Sequence, residues 1–213
     1  GPILPDAMGR IAPAGLLGIH VNRVERATTL PPEVAKALRS GDPAPAGLDA
    51  EEKAAFDEAR EFLNKGFGYA AIMGTRPQTL GYGLADSPAG LAAWSYDKFA
   101  DWVFTRGEPE RSFTADEMLD NITLYWLTNT GTSGARIYWE NLAPSAGGSG
   151  SINVPAAVTV FPGEVYKPPR QWAARGYAKL VYYNRVDKGG HFAAWEEPLL
   201  FSAEVRAAFK GLR

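Results

Sequence analysis

Apolar positions along the chain form three short runs, separated by a long stretch of helical spacing. Gly15 to Asn22 reads GLLGIHVN. A brief apolar run between turn-prone residues is what a strand buried on both faces of a parallel sheet looks like. Val154 to Phe161 (VPAAVTVF) and Ala178 to Val186 (AKLVYYNRV) are two further strands, rich in β-branched or aromatic residues. Between the first and second run the period lengthens. From Asp49 to Lys65, residues Ala55, Phe56, Ala59, Phe62 and Leu63 share one helical face. Asp49 is the expected N-cap, Glu52 completes a capping box, and Gly66 and Gly68 end the helix. Further helices are predicted from Ser87, with Pro88 at the first helical position, to about Phe104; from Thr114, with Glu117 behind it, to about Leu127; and from Ser133 to Asn141. Pro5 to Ile11 and Pro198 to Leu212 read as helices near the two ends, and Ala143 to Ser151 (APSAGGSGS) as a flexible loop.

Strand, helical block, strand, helix or loop, strand, helix is the alternation of an α/β protein with a parallel sheet. The expected division is residues 1–26 as the start of the core (a helix and a strand), 27–146 as a helical insertion, and 147–213 as the remaining core strands and helix. Three strands are few for such a sheet, and would leave apolar edges open.

Composition narrows the chemistry. With 213 residues, 46% of them hydrophobic and 22% charged, the chain can bury a core as one domain or one domain with an insertion. A formal net charge of −2 argues against general attraction to nucleic acid. No run of eighteen apolar residues predicts a membrane span. There is no cysteine, so disulfides, thiolate metal sites and a cysteine nucleophile are excluded. That composition, with no targeting signal in view, points to the cytoplasm. Two histidines, His20 and His191, exclude a multi-histidine metal centre.

His191 stands in GGHFAAWEEP, on a glycine loop just past the third strand. The carboxyl ends of parallel strands are where α/β proteins place ligands; the bland alternative is a surface loop histidine. Glu164, in FPGEVYKPP, follows the second strand in the same way. A carboxylate there can bond the histidine, orient its ring and stabilise its protonated form; otherwise it is a solvated turn residue. Tyr69 (GFGYAAIMGTRP) and Tyr138 (GARIYWENL) lie in the helical block. Two converging phenols can hold a developing alkoxide, although with nine tyrosines in the chain simple packing is the stronger explanation. His20 reads as a hydrogen-bonded core histidine. Glu196 and Glu197 read as helix-start charges, and Lys167 and Arg170 as surface charges. G-x-S-x-G, G-x-G-x-x-G, Walker A and H-E-x-x-H are all absent. The residues offer an acid, a base and phenols, but no nucleophile.

GGHFAAWEEP, FPGEVYKPP, GYGLADSPAGLAAW and LYWLTNTGTSGARIYWEN together resemble the α/β-hydrolase epoxide hydrolases, nearest the bacterial, microsomal and juvenile-hormone-type branch. The likeness covers nearly the whole chain. It implies the C-terminal part of an α/β-hydrolase parallel sheet with a large helical lid insertion. It implies that an aspartate on a nucleophile elbow attacks an apolar epoxide to form an alkyl-enzyme ester, that Tyr69 and Tyr138 donate to the opening ring, and that His191 with Glu164 activates water to release a vicinal diol. No metal or organic cofactor is implied. The family's elbow resembles G-G-D-W-G, and Gly1 would match its last glycine, so the nucleophile is expected upstream or on an N-terminal chain or fragment acting as a partner. Asp6 falls within the following helix and lacks the flanking glycines. A non-catalytic truncated fragment with a ligand pocket, and a dehalogenase or esterase reaction, are the competing readings.

Overall fold

The computed structural model describes residues 3–142 and 151–212. All but Ser151 of the expected glycine-serine loop lies outside them. The described residues pack as two units, one of residues 3–61 and 151–212, the other of residues 62–142.

The first unit is α/β. Its strands are β1 (Ile19–Val21), β2 (Ala156–Val160) and β3 (Leu180–Arg185), in the order β1-β2-β3 and all parallel. Ile19 pairs with Ala156 and Val21 with Val158; β3 follows after one irregularity, with Ala157 opposite Tyr182 and Val160 opposite Arg185. β2 is buried at every position, as its unbroken apolar run requires of a central strand. Around the sheet lie α1 (Ile3–Ile11), α2 (Arg26–Thr29), α3 (Pro32–Ser40), α4 (Ala50–Glu61), α10 (Arg170–Gly176), α11 (Ala193–Glu196) and α12 (Pro198–Phe209).

Residues 27–61 belong to this unit by packing. Val34 and Ala37 of α3 and Ala55, Phe56 and Ala59 of α4 share one buried cluster with Ile19, Val21, Val158, Val160 and Trp172. The Asp49 capping box forms as expected: the Glu52 N–H donates to Asp49 Oδ1 at 2.8 Å, and the Asp49 N–H to Glu52 Oε2 at 3.1 Å. The Glu52 carboxylate also accepts from the Trp172 indole at 2.8 Å, which ties α4 to α10. Lys167, read as a surface charge, is only 13% exposed and pairs with Glu58 of α4 at 3.2 Å. Packing of α4 covers its aliphatic stem.

The second unit is helical: a π-helical turn (Phe62–Gly66), then α5 (Gly68–Thr75), α6 (Pro77–Asp86), α7 (Pro88–Trp102), a 3-10 turn (Pro109–Arg111), α8 (Ala115–Thr128) and α9 (Gly131–Leu142). The helix that follows Asp49 stops at Gly66, as its glycines predict, closing with the π-helical turn, and α5 starts at Gly68. Ser87 caps α7 through the Gly90 N–H at 3.0 Å, and Thr114 with Glu117 forms the capping box of α8. Asn129, at φ 51°, ends α8 in the left-handed region and lets α9 fold back.

Candidate active site

The sheet continues one pairing beyond its strands. Gly163, after β2, bridges in parallel to Gly190, after β3, and the Gly163 N–H donates to the Gly189 carbonyl at 3.0 Å. The next residues on the two loops are Glu164 and His191, so they leave the bridge side by side. His191 Nδ1 lies 2.9 Å and 3.0 Å from the two Glu164 carboxylate oxygens. Glu164 is 1% exposed, and its Oε1 also accepts from the Val165 N–H at 2.7 Å. It is therefore a buried carboxylate rather than a solvated turn residue. With that acceptor on Nδ1, the ring carries its proton there and presents the basic lone pair at Nε2.

The histidine loop is held from three sides. Gly189 has φ 94°, and a β-carbon there would meet Phe161 Cδ1 at 2.8 Å, so only glycine fits. Glu196 Oε1 accepts from the Gly190 N–H at 3.0 Å and from the Phe192 N–H at 3.2 Å, the two amides that flank His191. Asn22, just past β1, donates to the His191 carbonyl at 3.4 Å. Glu197 is a helix-start charge as expected, at the N-cap of α12, whereas Glu196 departs from that reading. Glu196 ends α11 and turns back to the loop, where two backbone donors hold it more strongly than a helix dipole does. Glu197 pairs with Lys188 at 2.7 Å.

The remaining charged residues sit elsewhere in this unit. His20, on β1, donates from Nε2 to Thr159 at 3.0 Å, and Thr159 donates to Glu204 at 3.1 Å. Tyr182 and Asn184 also donate to Glu204. Burial pushes the His20 ring down to about 4, against the opposing pull of Glu204. This is the core histidine that its place on the strand suggested. Asp6 is 2% exposed inside α1, where it accepts from the Tyr177 hydroxyl at 2.9 Å. Desolvation raises its pKa, and its place inside α1, bonded to Tyr177, is that of a buried structural carboxylate. Arg170 is exposed, with its guanidinium 5.9 Å from the Tyr183 ring.

In the helical unit, Tyr69 is the second residue of α5 and Tyr138 lies on α9. Their rings meet edge to face at 5.6 Å, which packs α5 against α9. Trp102 of α7 meets Tyr69 at 5.2 Å. α9 is held close to α6, where a side chain at Gly81 would collide with Thr132, and Arg136 donates to Gln78 at 2.8 Å.

Among the described residues, no group of three or more His, Cys, Asp or Glu side chains gathers as a metal site, and no helix is long and apolar enough to cross a membrane. Asn22, the loop-holding role of Glu196, and Lys98 beside Tyr69 were not legible beforehand. Only the spacing of Lys98 and Trp102, one helical turn apart, was a local signal.

A parallel sheet whose adjacent strand-end loops carry a histidine on a buried carboxylate, joined to a helical insertion, defines the α/β-hydrolase class. No protein-family model matches the chain. It is 47% identical, over all of its length and 46% of the relative's, to a protein of Stigmatella aurantiaca (strain DW4/3-1) provisionally named an epoxide hydrolase. It is 41% identical to Epoxide hydrolase 1 of Sus scrofa, over 68% of this chain and 34% of that one. The crystal structure of juvenile hormone epoxide hydrolase from the silkworm Bombyx mori matches with a TM-score of 0.82 at 28% identity, covering 98% of this chain and 52% of that one. The chain is thus a homologue of α/β-hydrolase epoxide hydrolases, and it spans about half or less of the length of these relatives.

Proposed function

We propose that this chain supplies the ring-opening phenols and the hydrolytic pair of an epoxide hydrolase that turns a small apolar epoxide into a vicinal diol. The observation that carries the reading is the contact of His191 Nδ1 with the buried Glu164 carboxylate at 2.9 Å. In the first step an aspartate oxygen attacks an epoxide carbon. The carbon–oxygen bond breaks, its electron pair goes to oxygen, and that oxygen takes a proton donated by Tyr69 or Tyr138. In the second step His191 Nε2 takes a proton from water as the water attacks the ester carbonyl. The ester releases the diol and regenerates the carboxylate, and the imidazolium proton restores the phenol through solvent. The aromatic cluster of Tyr69, Trp102 and Tyr138 favours an apolar substrate.

The reading assigns the nucleophilic aspartate to sequence outside the 213 residues, preceding Gly1 or on a separate chain. The buried position of Asp6 supports this, as does the share of its relatives that the chain spans. A cytoplasmic setting, read from the cysteine-free composition, is part of the same proposal.

The test uses protein that carries this chain together with its nucleophile, and an aryl epoxide. In His191→Gln, ring opening continues while ester hydrolysis stops, so intact mass shows the protein plus one substrate. A first turnover of wild type in oxygen-18 water yields diol without the label. Label in that first-turnover diol, with no mass adduct in the variant, excludes the covalent route.

A further inference from the structure

Lys98 lies on α7 one turn before Trp102, on the same side of the helix. Its ammonium is 4.7 Å from the centroid of the Tyr69 ring and 5.4 Å from that of Trp102. The Tyr69 and Trp102 rings meet edge to face, so the cation rests in an aromatic corner with Tyr69 as its nearer wall. The same Tyr69 ring meets Tyr138. The Lys98 side chain is 16% exposed, and carboxylates neighbour its ammonium: Asp97 at 2.7 Å and Asp101 at 3.7 Å. Those carboxylates are 64% and 55% exposed, so water screens them more than it screens the lysine against the rings.

A cation over an aromatic face is held by the ring's electron density. That density rises as the phenol gives up its proton. An ammonium at this position is therefore attracted more strongly when Tyr69 donates to a developing alkoxide than when it rests. Only an interaction that strengthens along the reaction accelerates it. We propose that Lys98 is a positioning residue for the ring-opening step: it holds the Tyr69 ring by its face and favours donation from the phenol. This rests on the reading of Tyr69 as a ring-opening donor.

Two measurements test it separately. The first needs no turnover. The chain is labelled at the tyrosine ζ-carbon, the Tyr69 resonance is assigned with Tyr69→Phe, and its titration is followed by NMR. In Lys98→Met the Tyr69 phenol titrates at higher pH than in wild type, and in Lys98→Arg it returns toward wild type. In Asp97→Asn, which keeps the lysine and removes a screening carboxylate, it titrates at lower pH. Tyr82, 71% exposed on α6, serves as the unchanged control. Near-ultraviolet circular dichroism checks the fold of Lys98→Met, and if that variant does not fold, Asp97→Asn decides alone. The second measurement is the single-turnover rate of epoxide opening in protein that carries its nucleophile. Lys98→Met slows it about three- to ten-fold with KM near wild type, and Lys98→Arg restores most of the rate.

Unchanged Tyr69 titration in both Lys98→Met and Asp97→Asn overturns the inference, as does an unchanged opening rate in Lys98→Met where wild type and Tyr69→Phe differ. Failure of the wild-type protein to open epoxides removes the functional reading instead, and leaves the titration to settle the coupling of Lys98 to Tyr69.

Discussion

The α/β unit and the helical unit hold their candidate residues by different physical means. In the first, His191 and Glu164 are placed by main chain. A glycine-to-glycine bridge extends the β2–β3 pairing, one positive-φ glycine shapes the loop, and Glu196 binds the amides on either side of His191. In the second, Tyr69 and Tyr138 are placed by side chains. They sit on α5 and α9, and their rings pack against each other, with Trp102 and Lys98 against Tyr69. A hydrogen-bonded backbone tolerates little displacement, which suits a base that must take a proton at a fixed distance. An aromatic cluster has weak, non-directional contacts, and its outline changes with each substitution. On the proposed function, His191 and Glu164 are the constrained half, and the phenol cluster is the half in which substrate preference can vary.

Substitution of both phenols is expected to show the largest effect. Tyr69→Phe with Tyr138→Phe leaves the packing and removes both donors, so single-turnover ring opening should fall about a hundred-fold or more. Hydrolysis of any ester that does form should proceed at the wild-type rate. Slowed hydrolysis with normal opening would erase the division between the two halves.

Glu196 probes the backbone half. Glu196→Ala leaves the Gly190 and Phe192 amides without that acceptor and lets the His191 loop shift. Ester hydrolysis should drop about ten-fold with little change in ring opening, because a small misplacement of a base is costly. Glu196→Gln keeps an acceptor oxygen and should recover most of the rate. Equal loss in both variants would show that charge, rather than loop geometry, is what Glu196 supplies.

The effect farthest from the chemistry concerns stability in the sheet. His20 has its folded pKa lowered to about 4 from 6.5, so between those values the unfolded chain binds the extra proton. Its contribution is full above pH 6.5 and is lost as pH falls toward 4. Urea unfolding should show wild type losing on the order of 2–3 kcal/mol more than His20→Gln across that window. Parallel curves for the two proteins would mean that His20 does not titrate within the fold.

What the sequence determined alone was whatever depends on near neighbours. The caps at Asp49, Ser87 and Thr114 form between residues three apart, so their spacing encodes them. The apolar run around Val158 marks a strand buried on both faces, and the loops that follow β2 and β3 put Glu164 and His191 in view before any coordinates. Asp6 was recognisable as a helical residue. Tertiary structure decided the rest. Only packing brings α3 and α4 against β1 and β2, because an amphipathic helix shows that it has a buried face and not which core covers it. The same holds for Lys167, whose burial depends on α4, and for Glu196, whose partners are backbone amides that carry no side-chain signal. Lys98 and Trp102 share a turn in the sequence, but Tyr69 reaches them from another helix. Local hydrogen bonds are written in spacing; contacts between distant elements exist only once burial of apolar surface has drawn those elements together.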